Sequence, residues 1–270
     1  MTILIVLLGL LISHQFVSVG RIRRYDPLLK PLHWARRRYS RPPWVPMLVV
    51  LVTAILAALL LSGLASVLMG AFGWFVVALL IVVYSLGPRD LDRDVEVLLA
   101  GGNDPRHFKI RRIMRLGADA GAEAGAASVF RAAQARWFGI LFWFVLLGIP
   151  GALLYRLARV SLHEPGLQPA QSEWLLRLRS VLDWPVLALL TLGIALAGDF
   201  DRIRQAWRHH QAGGSGWRLG EELLADLATT TAQPGDAFED GIRRGHEVVW
   251  RVLWIWLVVL SLLLILGWLV

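Results

Sequence analysis

Ser128–Arg156, SVFRAAQARWFGILFWFVLLGIPGALLYR, decides how the rest of this 270-residue chain is read. It begins as a polar helix bearing Arg131, Gln134 and Arg136. It continues as an uncharged run from Trp137 to Tyr155 and closes on Arg156. Nineteen helical residues cover roughly 28 Å, the thickness of a bilayer's hydrocarbon core. Aromatic rings crowd one end (Trp137, Phe138, Phe142, Trp143, Phe144) and Tyr155 marks the other, as expected where rings sit at headgroup level. Pro150-Gly151 predicts a kink or an unwound turn near the far end. The stretch reads as a membrane crossing with a polar surface at its near end.

Composition points the same way. The chain is 56% hydrophobic with thirteen tryptophans, above the apolar share of ordinary soluble domains. The absence of cysteine excludes a disulfide framework, a thiolate metal site and a cysteine nucleophile. The net charge of +8 fits cytoplasmic loops obeying the positive-inside rule better than a nucleic-acid surface.

Five more apolar segments follow from the same criterion. Residues 1–19 are apolar with no positive charge ahead of them, whereas Arg21, Arg23, Arg24, Lys30, Arg36, Arg37, Arg38 and Arg41 come after. That asymmetry predicts a retained first helix, its N-terminus outside and residues 20–46 in the cytoplasm. The aromatics Trp34, Tyr39 and Trp44 among these arginines read as a belt on anionic headgroups. Met47–Leu86 holds forty uncharged residues, twice a crossing, so a hairpin over 47–68 and 71–87 is expected, turning among Ser62, Gly63, Ser66, Gly70 and Gly73. The remaining segments are 184–198, short at fifteen residues, and 252–270. If 184–198 crosses, the segments 20–46, 87–136 and 199–251 share the cytoplasm and hold 24 of the 28 Lys and Arg, leaving 157–182 outside. The expectation is an all-α fold, a polytopic membrane helical bundle of about six segments with amphipathic cytoplasmic helices, forming a single domain over 1–270.

Within 87–136, Asp90, Asp92 and Asp94 alternate. An EF-hand would need glycine and glutamate where Val95 and Gly101 stand, so the acids read as a solvated helix start. Arg106, Lys109, Arg111, Arg112 and Arg115 form a cationic face. Gly117, Gly121 and Gly125, every fourth residue, predict a close-packed helix placing Asp119 and Glu123 on one face. That pair is a local ion network or, alternatively, two acids poised for proton transfer. Between the crossings, Glu173/Arg177 and Arg179/Asp183 are spaced to pair along an interfacial helix. In 199–251, Phe200, Ile203 and Trp207 mark one amphipathic piece, and Leu219, Leu223, Leu224 and Leu227 another. His209-His210 and His246-Glu247 lack the spacing of a zinc helix and read as exposed; no metal or cofactor is expected.

Residues 130–157, FRAAQARWFGILFWFVLLGIPGALLYRL, resemble the core motif of the AmpE/CobD (CbiB) superfamily of inner-membrane proteins. Asp104-Pro105-Arg106, Leu182-Asp183-Trp184 with Pro185, and Gly198-Asp199-Phe200 agree with it, and the resemblance covers most of 1–215. The cobalamin-pathway branch carries polar residues where this chain has Ala135-Arg136-Trp137 and Leu157-Ala158-Arg159-Val160. What remains (Phe130, Gln134, Trp137, Phe142, Trp143, Tyr155, Arg156, Asp183, Asp199) is similar to the AmpE branch. That resemblance implies an inner-membrane regulator or signal transducer in β-lactamase induction, acting beside a cell-wall amidase.

Two functions are therefore expected in competition. One is a non-enzymatic regulator whose cytoplasmic face (Arg111, Arg112, Arg115, Arg131, Gln134, Arg136, with Tyr155 and Arg156) binds a phosphate-bearing ligand or a protein partner. The other is a membrane-bound CobD/CbiB-like transferase or amide-forming ligase on an anionic substrate, using Asp119, Glu123, Asp183 and Asp199. Nucleotide hydrolysis has no Walker-type loop to rest on. No charge lies inside an apolar segment to line an ion path. The bilayer is the constant partner, and no nucleic acid is expected.

Overall fold

The computed structural model describes residues 2–15, 29–30, 33–35, 38, 42–86, 89–102, 104–198, 200–210, 220–233 and 235–266. These residues form helices and turns with no strand. The helices are α1 (Thr2–Gln15), α2 (Val45–Ser85), α3 (Leu91–Ala100), α4 (Pro105–Ile113), α5 (Ala122–Ala133), α6 (Gly139–Leu147), α7 (Ile149–Ser161), α8 (Pro169–Ala197), α9 (Phe200–His210), α10 (Glu221–Thr231) and α11 (Phe238–Ile265). A π-helical turn, Gln134–Phe138, joins α5 to α6. Among the described residues, four runs are long and apolar enough to cross a membrane: Val45–Ser85, Ala122–Leu147, Pro169–Ala197 and Phe238–Leu263. α1, at 14 residues, is shorter. Large apolar side chains stand outward on α2, with Val67 84% and Leu68 73% exposed. That is the pattern of a surface solvated by lipid.

The chain divides into two compact units: Met1–Pro88 with Gly139–Leu182, and Arg89–Phe138 with Asp183–Val270.

The first unit is built on two helical reversals of the same design. In α2 the helix is interrupted at Gly70, whose φ of 64° and ψ of −149° only glycine adopts without strain. Three residues later, a Cβ on Gly73 would fall 2.1 Å from the Ala65 carbonyl oxygen. Residues eight apart in a straight helix are separated by about 12 Å, so the chain has doubled back. Gly148 repeats this conformation (φ 67°, ψ −147°), and a Cβ on Gly151 would fall 2.0 Å from the Trp143 carbonyl oxygen. The Gly148 carbonyl accepts from the Gly151 and Ala152 amides, restarting the helix.

The second reversal corrects the reading of Trp137–Tyr155 as one crossing. The run ends at Leu147, and α7 returns along α6, bringing the Tyr155 ring over Gly139, where a Cβ would meet it at 2.1 Å. Length and hydropathy describe a hairpin of two short helices as well as one long helix. A glycine with positive φ decides between them. Pro150 sits in the first turn of α7, where a missing amide costs nothing, so it opens a helix instead of kinking one.

α1 packs on the return arm of α2, where a Cβ on Gly9 would meet Val82 at 3.1 Å. The buried Arg156 donates through Nε to the Ser85 carbonyl and so caps the C-terminal end of α2. His33 Nε2 and Glu164 Oε2 pair at 2.8 Å. Residues 33 and 164 therefore lie on one side of any bilayer, which corrects the expectation that all of 157–182 faces away from 20–46. On α8, Glu173 and Arg177 pair at 2.5 Å as their spacing predicts.

In the second unit, α5 and α11 run side by side in the same direction. Their close approach rests on small residues from both helices. A Cβ on Gly241 would meet the Ala122 carbonyl oxygen at 2.0 Å, and one on Gly245 would meet Ala126 Cα at 3.0 Å. Gly125 lies under Phe238 and Ile242. The predicted Gly117–Gly125 helix is not formed: α5 starts only at Ala122, after Gly121 at its N-cap, and a Cβ on Gly117 or Gly121 would meet nothing within 4 Å. α10 buries Leu223, Leu224 and Leu227, and α9 buries Ile203 while leaving Phe200 exposed.

Candidate functional site

Two buried carboxylates of the second unit, Asp92 and Asp94, stand on the first turn of α3. Asp90 caps that helix, its Oδ1 accepting from the Asp92 amide at 3.3 Å. Residues 92 and 94 then project into the unit and not into solvent, with Asp92 7% and Asp94 3% exposed. Charged side chains are buried to this degree only when paired. The expectation of a solvated helix start is thus corrected: α11 and the π-turn cover it.

Asp94 lies between two guanidinium groups. Arg89 Nε donates to Oδ1 at 3.2 Å, and Arg136 Nη2 stands 2.8 Å from Oδ2. Arg136 projects from the π-turn, where the extra residue per turn re-aims side chains relative to the preceding α5. Its Nη1 is also buried, with no hydrogen-bond acceptor among the described residues.

Asp92 reaches α11. His246 Nε2 lies 2.6 Å from Asp92 Oδ1, and Trp250 Nε1 donates to the same oxygen at 3.0 Å. Trp250 Nε1 is also 3.1 Å from His246 Nε2. The Trp250 ring meets Trp137, the residue after Arg136, edge-on at 5.5 Å between centroids. Phe138 packs in the same manner on Trp256 at 4.9 Å. One continuous cluster therefore runs Arg89–Asp94–Arg136 and Trp137–Trp250–Asp92–His246, held by α3, α11 and the π-turn. His246 is half-buried and engaged, which corrects its reading as an exposed histidine.

Of the cationic residues predicted to bind a ligand, only Arg136 belongs to this cluster. Arg111 is committed elsewhere: Nη2 donates to the carbonyls of Gly117 and Ala118, and its guanidinium lies 4.7 Å over the Phe238 ring. It shapes the loop before α5. Arg112 and Arg115 are exposed, Arg115 in a left-handed conformation (φ 57°). Arg131 is half-buried, and Gln134 is buried in the π-turn. Tyr155 and Arg156 belong to the first unit. Tyr155 packs on Gly139 and its hydroxyl accepts from Arg159 Nη1 at 2.8 Å, while Arg156 caps α2.

The acids separate likewise. Asp119 is exposed in a turn and Glu123 exposed in the first turn of α5, so they do not share a helical face and form no proton-transfer pair. Asp183 is buried within α8. Asp199 lies outside the described residues.

The cluster members that the sequence does not mark as site residues are Arg89, Asp92, Asp94, Trp137, His246 and Trp250. One signal is present: an acidic helix start followed far along the chain by His246 and Trp250, four apart on a helix. Nothing local links them, since His246 and Asp92 are 154 positions apart. Compared with protein families, curated proteins and solved structures, the chain matches none.

Proposed function

We propose that the chain is a multi-pass protein of the bacterial inner membrane, a regulator or signal transducer in the response to β-lactam antibiotics and cell-wall status. Six apolar segments enter the bilayer in this reading, and the fourth, Trp137–Tyr155, enters and returns. The segments 20–46, 87–136 and 199–251 face the cytoplasm together with the loop around Glu164, which pairs with His33, so 184–198 lies within the bundle without crossing. A phosphate-bearing ligand, or a protein partner such as a cell-wall amidase, is sensed there. The resemblance of residues 130–157 to the AmpE branch supplies this biological setting.

The observation that carries the ligand chemistry is Arg136. Its Nη2 stands 2.8 Å from Asp94 Oδ2, and Nη1 remains as a buried donor with no acceptor among the described residues. A planar guanidinium with a donor to spare suits an oxyanion. The test is thermal unfolding of the purified protein in detergent with and without inorganic phosphate. Stabilisation is expected in the native protein and is expected to be lost in Arg136→Lys, which keeps the charge and loses the fork. A deletion strain with unaltered β-lactamase induction would refute the regulatory role.

A second reading is a CobD/CbiB-like transferase or amide-forming ligase on an anionic substrate. What favours it is the Asp92–His246 pair, an arrangement that orients imidazole bases.

A further inference from the structure

We infer that His246 is a proton-accepting centre, with Asp92 and Trp250 as its positioning residues and Nδ1 as the atom that takes the proton. His246 Nε2 and Asp92 Oδ1 are 2.6 Å apart. Two bare acceptors repel at that distance, so a proton lies between them, and with an ionised carboxylate it belongs to Nε2. Trp250 Nε1 is a donor only and cannot bond to a nitrogen that already carries hydrogen. Its hydrogen therefore goes to Asp92 Oδ1, 3.0 Å away, and the 3.1 Å approach to His246 Nε2 follows from this shared acceptor. One carboxylate oxygen then accepts from both rings.

The neutral imidazole is thereby fixed as the Nε2–H tautomer, because the bond made by one ring nitrogen sets the state of the other. Nδ1 keeps its lone pair. No described residue hydrogen-bonds to it, and the His246 side chain is 23% exposed, enough for a small protic group to approach. The ligand class is accordingly a polar molecule presenting an O–H or N–H bond. That bond breaks, the proton joins Nδ1, and the electron pair stays on the ligand's oxygen or nitrogen. The imidazolium keeps its Nε2–H on Asp92, which remains ionised and stabilises the new charge. Arg136 of the π-turn, paired with Asp94 two residues from Asp92, brings a positive charge into the same cluster. None of this chemistry depends on an antibiotic response or on a protein partner.

The tautomer is directly readable. Solid-state NMR of ¹⁵N-histidine-labelled protein in lipid vesicles, with His246 assigned by loss of signal in His246→Asn, should show neutral His246 protonated at Nε2 and bare at Nδ1. Acylation by diethyl pyrocarbonate, followed by mass spectrometry, reads the reactivity of that lone pair. His246 should react several-fold faster than the more exposed His163, whose Nδ1 lies 3.1 Å from the Arg159 carbonyl. Asp92→Asn should move the proton to Nδ1 and slow acylation at His246 several-fold, leaving His163 unchanged. A native His246 protonated at Nδ1, or acylation no faster than at His163, would overturn the inference. The NMR measurement on the native protein holds even if Asp92→Asn fails to fold.

Discussion

Gly151 lies against the carbonyl oxygen of Trp143 so closely that a Cβ would stand 2.0 Å from it. Gly73 stands in the same relation to Ala65 at 2.1 Å. Both contacts are with backbone, which cannot swing aside, so Gly151→Ala and Gly73→Ala must open their hairpins. Each is expected to cost about 3 kcal/mol, the upper end of overpacking effects. Thermal unfolding of the purified variants in detergent checks this, and an unchanged midpoint in both would contradict the reversal geometry.

Gly148 and Gly70 present a different problem. Around each there is open space, and only the positive φ resists a side chain. Alanine at either place should cost about 1–3 kcal/mol as backbone strain alone. A bulkier residue such as leucine should therefore cost no more than alanine at 148, whereas at 151 it should cost more. Comparing Ala and Leu variants at the two positions separates strain from crowding.

The α5–α11 contact predicts an inversion of the glycine pattern read from the sequence. Gly241→Ala should be strongly destabilising because of the Ala122 carbonyl, and Gly245→Ala milder. Gly117→Ala and Gly121→Ala should fall within about 0.5 kcal/mol of the native protein, as for substitutions into open space. If Gly117→Ala proved as damaging as Gly241→Ala, the start of α5 at Ala122 would be wrong.

Asp94 and Arg136 form an ion pair with side chains 4% and 12% exposed. Arg136→Ala leaves a buried carboxylate with Arg89 alone, and a loss of about 3 kcal/mol is expected, the lower end for breaking one partner of a buried pair. Removing both partners should cost less than the sum of the single changes. A double-mutant cycle with Asp94→Ala measures this coupling, and strict additivity would mean that the two groups do not interact in the folded protein.

The chain has no cysteine, so single cysteines can report topology without background. His33→Cys and Glu164→Cys should label with a membrane-impermeant thiol reagent from the same side of sealed vesicles. Labelling from opposite sides would dissolve the pairing of His33 with Glu164 and restore the sidedness expected from the charge count.

Much of the helical framework is legible in the amino-acid sequence. The uncharged run of Met47–Leu86 is too long for one pass, and the chain breaks it at Gly70, one of the residues expected to turn. Leu223, Leu224 and Leu227 are buried at their helical spacing. Legibility ends where one local pattern serves two folds. Trp137–Tyr155 satisfies a crossing by length and hydropathy, yet Gly148 turns it back. Gly117, Gly121 and Gly125 satisfy a packing motif, yet of the three Gly125 alone meets α11, which contributes Gly241 and Gly245 of its own.

The sequence by itself determined that this protein is helical and apolar enough for a membrane, because transfer of uncharged residues into hydrocarbon is nearly additive along the chain. It also marked which segments carry the charge. Only the tertiary structure decided that Asp92 and Asp94 are buried, that His246 and Trp250 meet one carboxylate oxygen, and that Arg136 is the cation beside them. The physical reason is range. A buried charge is tolerable only with its partner in contact, and here the partners come from helices whose proximity depends on side chains being absent at Gly241 and Gly245.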